Sequence, residues 1–145
     1  MRRLAIALLA GGMLVLCAPG ARAAYGSAQI SPYLVSARLR LALDHLRVAE
    51  KSLTAVRGGT DVVSPYYATT RQSLADAADQ LTYARMATMD EREIRRMDAI
   101  LAGLDEVREL MDTSLLKAPD RLRRLEGETM SLDRAVRAPI SRRAK

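Results

Sequence analysis

The sequence predicts an all-α protein, an antiparallel up-down-up-down helical bundle that follows an N-terminal leader. Three observations predict it. Apolar residues recur with helical spacing from about Pro32 to Arg137. Proline and capping residues, with Gly58-Gly59, fall at the ends of those stretches, and only Gly103 and Gly127 lie inside them. Tracts with strand character are short, such as Asp61-Val62-Val63 and Pro65-Tyr66-Tyr67. The hydrophobic share of 49% in 145 residues is enough for one packed domain rather than a disordered coil.

Residues 1–23 read as a cleavable secretory signal peptide. Arg2 and Arg3 form the basic start, Leu4 to Ala18 is an uncharged apolar run, and Ala21-Arg22-Ala23 offers small residues at a cleavage site. The run is shorter than the roughly 20 residues of a spanning helix. Leu16 before Cys17 argues against a lipoprotein signal, which wants a small residue there. Cleavage after Ala23 would remove Arg2, Arg3, Arg22 and the single Cys17, lowering the formal charge from +6 to +3. The mature chain would hold no disulfide, and its stability would come from a core. A periplasmic or secreted location follows, with residues 24–137 as one bundle domain and residues 138–145 as a basic flexible tail.

Ser31-Pro32 is an N-cap with proline at the first helical position, and Gly58-Gly59 closes the first helix, about Pro32 to Arg57. Leu39, Leu46 and Leu53 fall at one heptad position, and Val35, Ala42, Ala49 and Val56 at the other. Leu34, Leu41, Val48 and Ala55 add a flanking stripe, wide enough for more than one neighbour. Ser64-Pro65 starts the second helix, about Pro65 to Ala87, with Tyr67, Leu74 and Leu81 among Ala77, Ala78 and Ala84. The third, about Glu91 to Lys117, carries Ile94, Met97, Leu101, Leu104, Met111 and Leu115. Asp90 with Glu93 fits a capping box. Two readings stand at that junction: a tight turn at Thr88 to Asp90, giving four helices, or one unbroken helix from Pro65 to Lys117, giving three. The fourth helix, about Asp120 to Arg137, has a narrow stripe of Leu122, Leu125, Leu132 and Val136, interrupted by Thr129 and ended by Ala138-Pro139. Short links make sequential helices neighbours.

Charge is unevenly spread. The first helix carries Arg38, Arg40, Arg47, Lys51 and Arg57 against Asp44 and Glu50. Residues 90–117 carry eight acids against five bases. Asp98, Asp105 and Asp112 share a seven-residue spacing with Arg40 and Arg47, so a first-to-third helix pairing would be electrostatically matched. A solvated amphipathic surface is the plainer reading, because exposed ion pairs contribute only about 0–1 kcal/mol each.

The residue inventory excludes much chemistry. His45 is the only histidine. It reads either as a half-covered boundary residue or as a haem or soft-metal ligand partnered by Met86, Met89, Met97, Met111 or Met130. Methionine at helical spacing is ordinarily core filler. A di-iron bundle needs two Glu-x-x-His pairs, and neither a covalent-haem motif, a phosphate-binding loop nor a calcium loop is present. Asp76/Asp79 and Asp105/Glu106 are ordinary solvated helix carboxylates, and no nucleophile has a base beyond His45. No catalytic residue, metal site or cofactor is therefore assigned. Five tyrosines as the sole aromatics do not make a base-stacking platform, so nucleic acid is not expected as a partner.

The reading that remains is a non-enzymatic helical bundle that binds a macromolecular partner or itself in the cell envelope. The alternative is a haem- or soft-metal-binding four-helix bundle using His45 and a methionine. A weak contact of the C-terminal tail with an anionic membrane surface is an accessory expectation, at about 1 kcal/mol per basic residue.

Overall fold

A computed structural model describes residues 31–56 and 65–143, and every regular element among them is helical. The leader expected at 1–23 and the Ser64 cap lie outside the described residues. Among the described residues the helices are α1 (Pro32–Ala55), α2 (Pro65–Met86), α3 (Glu91–Thr113) and α4 (Ala118–Arg143), with a 3-10 turn at Leu115–Lys117.

Local chemistry accounts for the boundaries. Ser31 caps α1, its hydroxyl accepting from the Tyr33 amide at 3.3 Å, with Pro32 inside the first turn, where no amide partner is lost. The α2–α3 junction is a turn. Asp90 caps α3 by accepting from the amides of Arg92 at 2.7 Å and Glu93 at 3.3 Å. The return arm of this capping box runs through Thr88. Its hydroxyl accepts from the Asp90 amide at 3.1 Å and donates to the Glu93 carboxylate at 2.6 Å.

Two expectations about α4 are corrected. Pro139 does not end the helix, which continues to Arg143. Residues 138–143 are therefore helical backbone, where a flexible tail is expected from the sequence. Proline gives up one amide and crowds the preceding turn. Val136, three residues before it, is buried in the core, and Arg137, Ala138 and Pro139 are half-buried or exposed. Nor does Thr129 interrupt the stripe. It is fully buried, and its hydroxyl donates to the Leu125 carbonyl at 2.7 Å, leaving a methyl group for the core.

Each helix touches two others. α1 packs on α2 and α4, α3 packs on α2 and α4, and α1 and α3 do not touch among the described residues. The α1–α2 contact is the most extensive. Ala42 and Ala49 of α1 and Ala77 and Ala84 of α2 are all fully buried, and such small side chains let two backbones approach closely. Leu39, Leu46, Leu74, Leu81, Met97, Leu104, Leu122, Leu125 and Leu132 fill the centre. Burying each such side chain stabilises the fold by about 1.5–3 kcal/mol.

Polar links along the seams run in opposite chain order. Ser36 and Glu50 of α1 meet Asp133 and Arg123 of α4, respectively. Arg71 and Arg85 of α2 meet Asp112 and Asp98 of α3.

Candidate functional site

Neither half of the alternative reading, a histidine and a methionine in one place, is assembled. His45 lies on the rim of α1 toward α2, half-buried, with Nδ1 3.8 Å from an Asp76 carboxylate oxygen. Met97 and Met111 are buried in the core on α3, the helix diagonal to α1. Met86 and Met89 are exposed at the α2–α3 turn. Met130 is half-buried on α4, where its sulfur accepts from Arg134 at 3.2 Å. Among the described residues no group of three or more His, Cys, Asp or Glu could hold a metal ion. Also among the described residues, no helix is long and apolar enough to cross a membrane.

The most distinctive surface is the outward face of α1. Leu34, Leu41 and Val48 remain 46%, 44% and 46% exposed although they recur every seventh residue. Ala37 and Ala55 extend the same face, and Asp44 and Lys51 fall within it. Arg40 and Arg47 border it on one side, and Arg38 on the other lies over the Tyr83 ring, 5.2 Å from its centre. The result is a row of half-exposed apolar side chains, interrupted by Asp44 and Lys51, with a basic margin. Helix periodicity produces it: the seam residues turn inward, and the stripe one position earlier turns outward.

The matched charges of the first and third helices are not paired within the molecule. Asp98 takes Arg85 of α2 at 2.5 Å, Asp112 takes Arg71 of α2 at 2.5 and 2.8 Å, and Asp105 takes Arg108 on its own helix at 2.7 Å. Arg40 lies 3.7 Å from Asp133 of α4, and Arg47 is 3.2 Å from Asp44. Short links put sequential helices side by side, which leaves α1 and α3 on the diagonal.

Two polar clusters stitch the seams. The Asp112 carboxylate accepts from the Tyr67 hydroxyl and from Arg71, whose guanidinium also lies over the Tyr67 ring. The hydrogen bond from Tyr67, then that from Arg71, holds the Asp112 carboxyl below the usual carboxylate range. Burial, reinforced by Asp112, pushes the Tyr67 phenol up.

Asp133, only 3% exposed, accepts from the Ser36 hydroxyl and from Arg137, each at 2.6 Å. A buried carboxylate was not foreseen from the sequence, though a signal was present. Asp133 stands four residues after Thr129 and three before Val136, on the edge of the apolar stripe. Nearby, Glu126 has one carboxylate oxygen buried without a hydrogen-bond partner. Burial, then the adjacent Glu50, raises its pKa, against Arg47 and Arg123.

A shallow cleft of about 370 Å³ lies between the end of α1 and the start of α4, lined by Leu53, Val56, Leu115, Leu116 and Pro119 and by the polar Thr54, Asp120 and Arg123. It is open to solvent, and Asp120 and Arg123 pair with each other at 3.3 Å. Compared with protein-family models, curated proteins and solved structures, the chain matches none of them.

Proposed function

We propose that the protein is an exported, non-enzymatic, up-down-up-down four-helix bundle that binds a protein partner in the cell envelope, another protein or its own copy. The observation that carries this reading is the half-exposed stripe of Leu34, Leu41 and Val48. Contiguous apolar surface with a charged border is the usual mark of an interaction face, whereas single exposed leucines need no explanation. The opposite chain order of the Ser36–Asp133 and Glu50–Arg123 contacts, and of the α2–α3 ion pairs, supports the up-down arrangement. Export is supported by the order of basic start, apolar run and Ala21-Arg22-Ala23.

The test is purification from the native envelope fraction, followed by mass spectrometry of the intact complex and of the N-terminus. The expected result is a chain beginning at Ala24, recovered in fixed stoichiometry with a second polypeptide that Leu41→Glu displaces. A lone chain beginning at Met1, with a mass unaffected by that substitution, would reject the reading.

A further inference from the structure

We infer that copies of this chain associate head to tail, the outward face of α1 in one copy seated on the outward face of α3 in the next. This rests on reading the α1 face as a docking surface and names its occupant. Complementarity supplies the argument. The α1 face presents Leu34, Leu41 and Val48 beside Arg40, Arg47 and Lys51. The α3 face presents Glu91, Asp98, Asp105 and Glu109, with Arg95 among them, on one side of the helix around the exposed Ala102. Alanine at the centre of an acidic rim leaves room for leucine knobs, and the rim meets the cations that border them.

Inside one molecule these faces cannot meet, because α1 and α3 occupy opposite corners of the bundle. Each is left directed outward on opposite sides. The ion pairs that now occupy them are solvent-exposed: Arg47 with Asp44, Arg95 with Glu91 and Arg108 with Asp105 within single helices, and Arg85 of α2 with Asp98 across a seam. Such pairs contribute little and exchange readily. Two different faces on opposite sides make a heterologous interface, which propagates as a filament or closes as a ring rather than stopping at a symmetric dimer.

Sedimentation velocity of the full chain recovered from the envelope tests this. The expected mass rises with protein concentration and falls as salt increases from about 0.05 to about 0.5 M, where the charges are screened. Ala37→Glu with Lys51→Glu makes the α1 face acidic; Asp105→Lys with Glu109→Lys makes the α3 face basic. Each double variant should weaken association by at least about tenfold while keeping the parent's circular dichroism and melting profile. An equimolar mixture of the two should recover association, because the reversed faces again match. A chain that stays monomeric at every concentration overturns the inference, as does association untouched by the α3 variant or not restored by mixing. If the monomer still co-purifies with a different envelope protein through Leu41, the proposed function stands and only the head-to-tail assembly fails.

Discussion

Leu41 and Leu46 lie on the same helix, five residues apart, and meet opposite fates. Leu46 is fully buried in the shared core, whereas Leu41 is 44% exposed on the outward stripe. Both belong to perfect heptad series, 39-46-53 and 34-41-48-55. The period is the same for the two faces, but the inward series is all leucine, whereas the outward one weakens to Val48 and Ala55 and shares its face with Asp44 and Lys51. One face of α1 therefore holds the fold, and the other stays half-exposed.

Truncating the two leucines should expose this difference most sharply. Leu46→Ala should cost about 2–5 kcal/mol, from the lost transfer energy and the cavity left behind. Leu41→Ala should change stability by no more than about 0.5 kcal/mol. Chemical denaturation of both variants, read as the shift in midpoint at constant slope, measures the contrast. Equal losses would mean that the outward stripe is covered and that the two faces of α1 are not distinct.

Much of this was legible in the sequence, and the limits are physical. The inward seam of α1, the Asp90 cap and the turn before it follow from local spacing and local hydrogen bonding, which a sequence displays directly. The charge match between the first and third helices was equally visible, yet it did not decide which helices touch. An exposed ion pair is worth about 0–1 kcal/mol, less than one buried leucine, so packing order prevails and the acids of α3 turn to α2 or to their own helix. Asp133 was hidden for another reason. Carboxylates on amphipathic helices are nearly always solvated, and this one is tolerable when buried because Arg137 and Arg40 offset its charge and Ser36 arrives from α1 to donate to it.

Two aspartates sharpen the comparison at the seams. Asp133→Ala removes the acceptor for Ser36 and Arg137 in a buried setting and should cost about 1–3 kcal/mol, with the arginines free to turn toward water. Asp112→Ala should cost distinctly less, because its pair with Arg71 is exposed on the surface. The Asp112 contribution has a pH signature. Its folded pKa is depressed, so the stabilisation is present above the unfolded carboxylate pKa of about 4 and is lost as pH falls through the lower folded value. Asp112→Asn should flatten the stability profile in that acid window and leave it unchanged near neutrality apart from a constant offset. An unchanged acid limb would show that the Tyr67–Arg71–Asp112 contact does not persist in solution.

Two glycines complete the series with the smallest expected effects. A Cβ at Gly103 would run into the Leu125 side chain and lie 2.8 Å from Arg121 Nη2. Leu125 is fully buried, so it cannot swing away without disturbing the α3–α4 contact. Gly103→Ala therefore sets an overpacking cost of about 1–3 kcal/mol against a helix-propensity gain of about 1 kcal/mol, and the net should be a loss. Gly127 is also within a helix, but nothing lies within 4 Å of the added carbon. Gly127→Ala should keep the whole propensity gain and stabilise the protein by up to about 1 kcal/mol. Thermal melts of the two variants give the answer as opposite signs. If Gly103→Ala also stabilises, α4 packs less closely on α3 than described here, and the seam between them rests on its ion pairs rather than on backbone approach.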